Sequence, residues 1–244
     1  MLPLTDFKIL ANRYGKLLFC RLRLDRIFGP FTGLYLKLSY MSQLSRWRSR
    51  HSRPAFLDDG SPRHLADKRF ALYEFLMNSE GLDGAIDYLE FGVFRGRSIK
   101  WWVEHNRHPE SRFVGFDTFT GLPEAWGGFD RGAFSTEGKL PDVEDDRCRF
   151  EAGLFQETLG PFMESHEFRR RKVIHLDADL YSATLFALTR LAPVLESGDI
   201  LLFDEFGVPM HEFRAFTDFV SAYGISYNVL GAANGYLHVA IKLV

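Results

Sequence analysis

Residues 85–98 constrain this chain more than any other stretch. A short apolar run, Ala85 to Phe91, lies between Gly84 and Gly92. That is how a strand buried inside a parallel sheet reads. A turn containing Gly92 and Gly96 follows, and from Ser98 onward Ile99, Trp102 and Val103 fall on one helical face. Strand, glycine turn and helix in this order open an α/β unit. Glycine reaches backbone angles closed to other residues and lets another group come close to the chain. The free N–H groups of a helix start favour an anion.

The spacing narrows the ligand. A dinucleotide-binding turn reads G-x-G-x-x-G. Here Glu90, Gly92 and Gly96 give E-x-G-x-x-x-G, closer to a turn that holds the methionine end of S-adenosylmethionine. Arg112 to Asp117 reads as the next strand and ends in an acid. Asp117 lies about 20 residues past the turn, where the second strand of such folds presents a carboxylate to ribose hydroxyls. A plain strand–turn–helix joint and a solvated loop acid are the competing readings.

The rest of the chain repeats the alternation. Arg147 to Glu151, Val173 to Asp179 with its outgoing turn, and Ile200 to Glu205 read as strands, with helical patterns from Thr158, over Tyr181 to Glu196 and over His211 to Ala222. Ile225 to Leu230 and Tyr236 to Leu243 read as an antiparallel hairpin joined by Gly231 to Gly235. The fold class expected is α/β, a doubly wound Rossmann-like sheet with a C-terminal hairpin. Before the first strand, Ser61-Pro62 reads as a helix start, followed by the apolar positions Leu65, Phe70, Leu72, Phe75 and Leu76. Residues 118–146 form a long Gly-, Pro- and acid-rich loop, read as a mobile cover with Trp126, Phe129 and Phe134 as apolar grips. The basic run Arg169 to Lys172 reads as a solvated helix end.

Net charge is −2, which excludes a generic nucleic-acid binder. The distribution is uneven: eleven bases precede Pro54 against only Asp6 and Asp25. Residues 4–28 read as one or two basic amphipathic helices broken by Gly29-Pro30. Phe31 to Leu44 reads as a further helix, and Arg46 to Pro54 as a polar link. Residues 1–60 are therefore expected to be an N-terminal helical arm and residues 61–244 the α/β domain. The arm suits packing on the domain or on a second subunit, with an anionic membrane surface as the alternative. Two cysteines, Cys20 and Cys148, make no disulfide framework, and no stretch approaches the roughly 20 apolar residues of a membrane span. A cytoplasmic protein, in possible peripheral contact with the inner face of the membrane, is the expectation.

Acids gather at the expected strand ends: Glu90, Asp117, Asp177, Asp179, Asp204 and Glu205. Ligands of open α/β sheets sit at those ends. Asp177, Asp204 and Glu205 offer hard oxygen ligands suited to Mg²⁺, and Asp179 is placed to take a proton from a hydroxyl. Zinc is disfavoured, since only His175 and His211 lie nearby in sequence. His175 reads as a core histidine, and His211 as a second candidate for the base.

From Tyr88 to Phe219 the chain resembles the macrocin O-methyltransferase type, S-adenosylmethionine-dependent enzymes that methylate sugar hydroxyls. The resemblance rests on five blocks in order: Tyr88 to Ser98, Gly115 to Glu124, Gly153 to Leu159, His175 to Thr184, and Phe203 to Gly207. It implies a class I methyltransferase fold, S-adenosylmethionine and Mg²⁺ as cofactors, and a homodimer. It implies that Glu90, Gly92 and Ser98 flank the methionine moiety and that Asp117 holds the ribose. Phe94, Gly96, Thr118, Gly153, Phe155 and Asp177 complete the cofactor set. Asp177, Asp204 and Glu205 would hold the metal, with Asp179 as general base. The family usually carries two aspartates where this chain has Asp204-Glu205, which changes the reach to a metal. The acceptor implied is a sugar hydroxyl of a glycoside or glycan. The alternatives are a catechol-type phenol or a non-catalytic scaffold of the same fold at a membrane surface.

Overall fold

The computed structural model describes residues 4–59 and 67–244. The helix start expected at Ser61-Pro62, and Leu65 with it, lie outside the described residues. The chain forms two compact units, Met1–Gln43 and Leu44–Val244.

The first unit is helical. α1 spans Leu4–Arg21 and α2 Asp25–Phe28. Gly29–Phe31 form one 3₁₀ turn leading into α3, Thr32–Arg50. Pro30 sits in the first turn, where its missing N–H costs nothing. Phe7, Leu10, Tyr14, Leu17 and Leu18 of α1 are exposed.

Of the polar link expected over Arg46 to Pro54, residues 46–50 are instead the end of α3, and 51–54 are irregular. Trp47 explains the correction. It is buried in the second unit, its Nε1 donates to the Tyr227 hydroxyl at 2.9 Å, and its ring lies 4.7 Å from that of Phe206.

The second unit is one eight-stranded sheet flanked by helices. In chain order it comprises β1 (Phe56–Leu57), α4 (Lys68–Glu80), β2 (Ile86–Phe91), α5 (Arg97–His105), β3 (Arg112–Asp117) and β4 (Cys148–Ala152). Then come α6 (Phe155–Ser165), β5 (Arg171–Leu176), α7 (Tyr181–Leu191), β6 (Ile200–Phe203), α8 (Glu212–Tyr223), β7 (Tyr227–Ala233) and β8 (His238–Leu243). The sheet order is β1-β7-β8-β6-β5-β2-β3-β4. β8 runs antiparallel to β6 and β7, and every other pair is parallel. This is the doubly wound α/β class with a closing hairpin.

Strand alternation feeds two cores. Tyr88, Phe113, Val173 and Leu202 pack with Leu72, Tyr73 and Leu76 of α4 and Ile99 and Trp102 of α5. On the other face Phe91 meets Phe155 of α6, Phe116 meets Phe162 of α6, and Phe203 meets Phe216 of α8, with ring centroids 5.2, 5.1 and 5.4 Å apart. Cover on both faces explains why β2 is buried along its whole length.

Two expectations need correction. The hairpin connection is Asn234 to Leu237, and Gly231 lies inside β7 at a register shift. Gly231 is needed there because β1 and α4 press on it: a Cβ would stand 2.6 Å from Leu72 Cδ1 and 3.1 Å from Phe56 Cβ. The basic run does not solvate a helix end. Arg170 pairs with Asp87 at 3.1 Å and Arg171 with Glu80 at 2.6 Å, and the buried Lys172 sits 3.3 Å from Asp199. These partners lie on neighbouring elements and draw the run into the start of β5.

Candidate active site

β2 and β5 are neighbours, and the sheet continues in opposite directions from them, through β3 and β4 on one side and β6 on the other. Such a switch point opens a crevice beyond the strand ends. A cavity of about 930 Å³ lies there, within the range of small-molecule sites.

The turn after β2 forms one wall. Gly92 has φ +91, and a Cβ on it would stand 1.8 Å from the Asp177 carbonyl oxygen. Glycine is thus demanded there by the neighbouring strand end. Gly96 makes room for Pro141 of the long loop, whose Cβ would lie 2.7 Å from an added Cβ. Asp117 ties the turn down: Oδ2 accepts from the N–H groups of Val93 and Phe94, both at 2.8 Å, and Oδ1 accepts from Phe119 N–H at 2.7 Å. Phe94, held in this way, has φ +51. A carboxylate oxygen accepts more than one hydrogen bond, so Asp117 retains capacity toward the cavity it lines.

Beneath the turn lies a buried polar chain. The Tyr88 hydroxyl donates to Glu90 at 2.5 Å and lies 2.9 Å from His175 Nδ1. The Tyr73 hydroxyl lies 3.2 Å from His175 Nε2 and 3.4 Å from Ser98 Oγ. With its proton on Nδ1, His175 donates to Tyr88 and accepts from Tyr73, so both ring nitrogens are satisfied. His175 is the core histidine expected. Burial, then the Glu90 charge, pushes the Tyr88 hydroxyl well above its ordinary value.

The adjoining wall, formed at the ends of β5 and β6, carries the acids. Asp177, Asp179, Asp204 and Glu205 all line the cavity. Burial, then the charges of Asp204 and Asp117, raises Asp179 to about 7. Burial, then Asp204 and Asp179, raises Glu205 to about 8. Burial and Asp204 also push Asp177 well up. Burial alone would raise Asp204, but its contact with His238, 3.0 Å from Nδ1 to Oδ1, and the Arg69 charge hold it far below the usual range. Asp179 has φ +59, a strained conformation for a residue with a side chain and one concentrated at functional sites.

Arg69, from the first turn of α4, reaches this wall. Its Nη1 lies 2.9 Å from Asp204 Oδ1 and 3.3 Å from Asp177 Oδ2. The sequence reading missed it. The available signal was its stripe: Arg69, Tyr73 and Leu76 share one helical face, and the last two are buried.

A divalent metal fits these residues poorly. His175, Asp177 and Asp204 each bring a ligand atom within 4.8 Å of the others. The nitrogens of His175 already face two tyrosine hydroxyls, and a guanidinium contacts both carboxylates. Glu205 is not in that group of three. Its N–H donates to Glu212 Oε2 at 2.8 Å.

The long loop covers the cavity. Leu122, Glu124, Trp126, Phe129 and Phe134 line it. The Trp126 and Phe129 rings stack at 5.5 Å, and Phe134 packs 4.8 Å from Phe129 and 5.9 Å from Phe94. Glu124 accepts from the Ser182 hydroxyl at 3.0 Å, tying the loop to α7. Of the remaining expected residues, Glu90, Ser98, Thr118 and Phe155 line the cavity, whereas Gly96 and Gly153 are not part of the lining. His211 precedes α8 with its ring 6.3 Å from Trp126, outside the lining.

The profile of the macrocin O-methyltransferase family (TylF) matches residues 131–232. The chain is similar to the macrocin O-methyltransferases. Among curated proteins, the 8-demethyl-8-(2,3-dimethoxy-alpha-L-rhamnosyl)-tetracenomycin-C 4'-O-methyltransferase of Streptomyces olivaceus is 29% identical over 61% of this chain and 62% of its own length. The mycinamicin III 3''-O-methyltransferase of Micromonospora griseorubida is 35% identical over 29% of this chain and 28% of its own. The match thus spans less than two thirds of either relative. In structure, the O-methyltransferase NovP superposes with TM-score 0.56 at 20% identity, covering 72% of this chain and 79% of NovP. The calicheamicin methyltransferase CalS11 does so with TM-score 0.55 at 22% identity, covering 71% and 76%. These structures share the fold.

Proposed function

We propose that this protein is an S-adenosylmethionine-dependent O-methyltransferase acting on a sugar hydroxyl of a glycoside or glycan. The observation that carries the reading is the place of Asp179, on the wall of the cavity that the glycine turn and Asp117 also line. The names of the curated relatives, both sugar O-methyltransferases, support the acceptor class. The stacked Trp126 and Phe129 offer a flat apolar platform of the kind a sugar ring rests on.

Bound beside the glycine turn, S-adenosylmethionine supplies an electrophilic methyl carbon. In this reading the turn after β2, Ser98 and Glu90 position its methionine end, and Asp117 and Thr118 its ribose. Phe94, Phe155 and Asp177 enclose the remainder, and Gly96 and Gly153 shape the backbone around it. Asp179 would accept the hydroxyl proton as the acceptor oxygen bonds to the methyl carbon and the S–C bond breaks, with S-adenosylhomocysteine as the leaving group. Trp126, Phe129 and Phe134 exclude water, which strengthens the electrostatics inside. Holding oxygen and methyl in line is the larger part of the catalysis. The Mg²⁺ expected at Asp177, Asp204 and Glu205 enters no step, because Arg69 already contacts two of those carboxylates.

The test is transfer of label from S-[methyl-³H]adenosylmethionine to a panel of deoxysugar glycosides, polysaccharide fragments and catechols. Labelling of a sugar is expected. Labelling of catechols alone would replace the acceptor class. The same reading assigns the N-terminal arm, with its exposed apolar residues and basic charge, to contact with a second copy or with anionic lipid at the inner face of the membrane. Light scattering and liposome flotation test the two contacts. Among the described residues no helix is long and apolar enough to cross a membrane.

A further inference from the structure

We infer that Arg69 is a built-in cation occupying the place of a divalent metal between Asp177 and Asp204, and that this protein works without one. The inference deepens the proposed function, but its evidence and its main test concern the acidic wall alone.

Three observations converge. Arg69 Nη1 contacts Asp204 Oδ1 at 2.9 Å and Asp177 Oδ2 at 3.3 Å, so one nitrogen bridges the two strand ends whose carboxylates a metal would bridge. The Arg69 side chain is only 15% exposed and belongs to the cavity wall. Asp204 Oδ1 is also 3.0 Å from His238 Nδ1, so this oxygen already faces two nitrogens. A guanidinium is charged at every working pH and cannot act as a base. It therefore supplies a permanent positive charge at this point.

Placing the charge on α4 has a chemical consequence. A metal would offer open coordination positions to the acceptor hydroxyl. A guanidinium offers donor N–H groups, which orient an oxygen and leave proton removal to a side chain. Asp179 is the carboxylate on the same wall available for that work. Arg69 is thus a positioning residue for the acidic wall. It keeps Asp177 and Asp204 together, where like charges would otherwise repel.

Mn²⁺, followed by electron paramagnetic resonance, tests this on the full-length protein without any acceptor. The free Mn²⁺ signal should be undiminished by stoichiometric wild-type protein. Removal of a positive charge beside the carboxylates in Arg69→Ala, or in Arg69→Met if the alanine variant does not fold, should lower the Kd for Mn²⁺ by about tenfold or more. Adding Asp204→Asn to either should abolish that gain. Arg69→Lys, which keeps the charge, should exclude Mn²⁺ like the wild type. Stoichiometric Mn²⁺ uptake by the wild type that disappears in Asp204→Asn would overturn the inference. So would folded Arg69→Ala and Arg69→Met variants that take up no Mn²⁺, since the carboxylates would then have no affinity for Arg69 to suppress. An S-adenosylhomocysteine titration of the same samples separates this outcome from failure of the methyltransferase reading.

Discussion

The two rims of the sheet treat charge in opposite ways. At the rim where the parallel strands begin, bases and acids are matched. Arg171 pairs with Glu80 at 2.6 Å, Lys242 joins the same carboxylate at 2.9 Å, Arg170 pairs with Asp87, and Lys172 with Asp199. Arg147, just before β4, donates to the carbonyls of Asn106, His108 and Val103 and to Asp145. At the rim where those strands end, Asp177, Asp179, Asp204 and Glu205 share a cavity with Arg69, and Asp179 and Glu205 are pushed up to about 7 and about 8. Like charges placed together on one wall cost stability, and perturbed carboxylates in a cleft are a mark of a candidate functional site. The first rim fastens the sheet, and the second lines the candidate site.

Substitutions should divide along that line. The largest effect is expected from Asp179→Asn: methyl transfer falls by about 10²–10⁴-fold, the range for a lost general base, while S-adenosylhomocysteine affinity in calorimetry stays within a few-fold. Unchanged turnover would remove Asp179 as the base. Next comes Lys172→Met at the opposite rim. It leaves the buried Asp199 without its counter-charge and should cost about 3 kcal/mol in urea unfolding, with cofactor affinity untouched. An accompanying loss of affinity would blur the division between the rims.

Asp117→Ala removes the acceptor for two backbone N–H groups of the turn after β2 and for that of Phe119. Cofactor Kd should rise by about tenfold, equal to about 1.4 kcal/mol; an unchanged Kd would take Asp117 out of the binding set. The smallest effect belongs to Glu80→Gln, about 1 kcal/mol of stability. Although burial alone would raise Glu80, its hydrogen bonds to Arg171 and Lys242 lower it. A carboxylate lowered in the folded state stabilises above its unfolded value, and that contribution is lost as pH falls through the folded one. The difference between wild type and Glu80→Gln should therefore hold at neutral pH and shrink in acid, below about pH 4. A difference growing toward acid would contradict the pairing.

Much of this was legible in the sequence where local pattern and tertiary demand agree. β3 runs over Arg112–Asp117 as its pattern predicts, because both faces of the strand are covered and its end is marked by an acid. The doubly wound order and the gathering of Glu90, Asp117, Asp177, Asp179, Asp204 and Glu205 at one rim follow from the same alternation. What escaped was set by distant partners. Arg46 to Arg50 look like a polar link until Trp47 finds Tyr227 and Phe206. Gly231 looks like a turn residue until Phe56 and Leu72 press on it. Arg69 carries no motif, and its partners, the carboxylate of Asp177, 108 residues further on, and that of Asp204, come from distant strand ends.

The most direct test of the account is a calorimetric titration of S-adenosylhomocysteine into the full-length protein, in Mg²⁺ and then in EDTA. Micromolar binding of equal strength in both buffers is the result predicted, with the turn after β2 as the site and Arg69 as the resident cation. Absence of binding in both buffers would contradict it, leaving a methyltransferase fold without the chemistry.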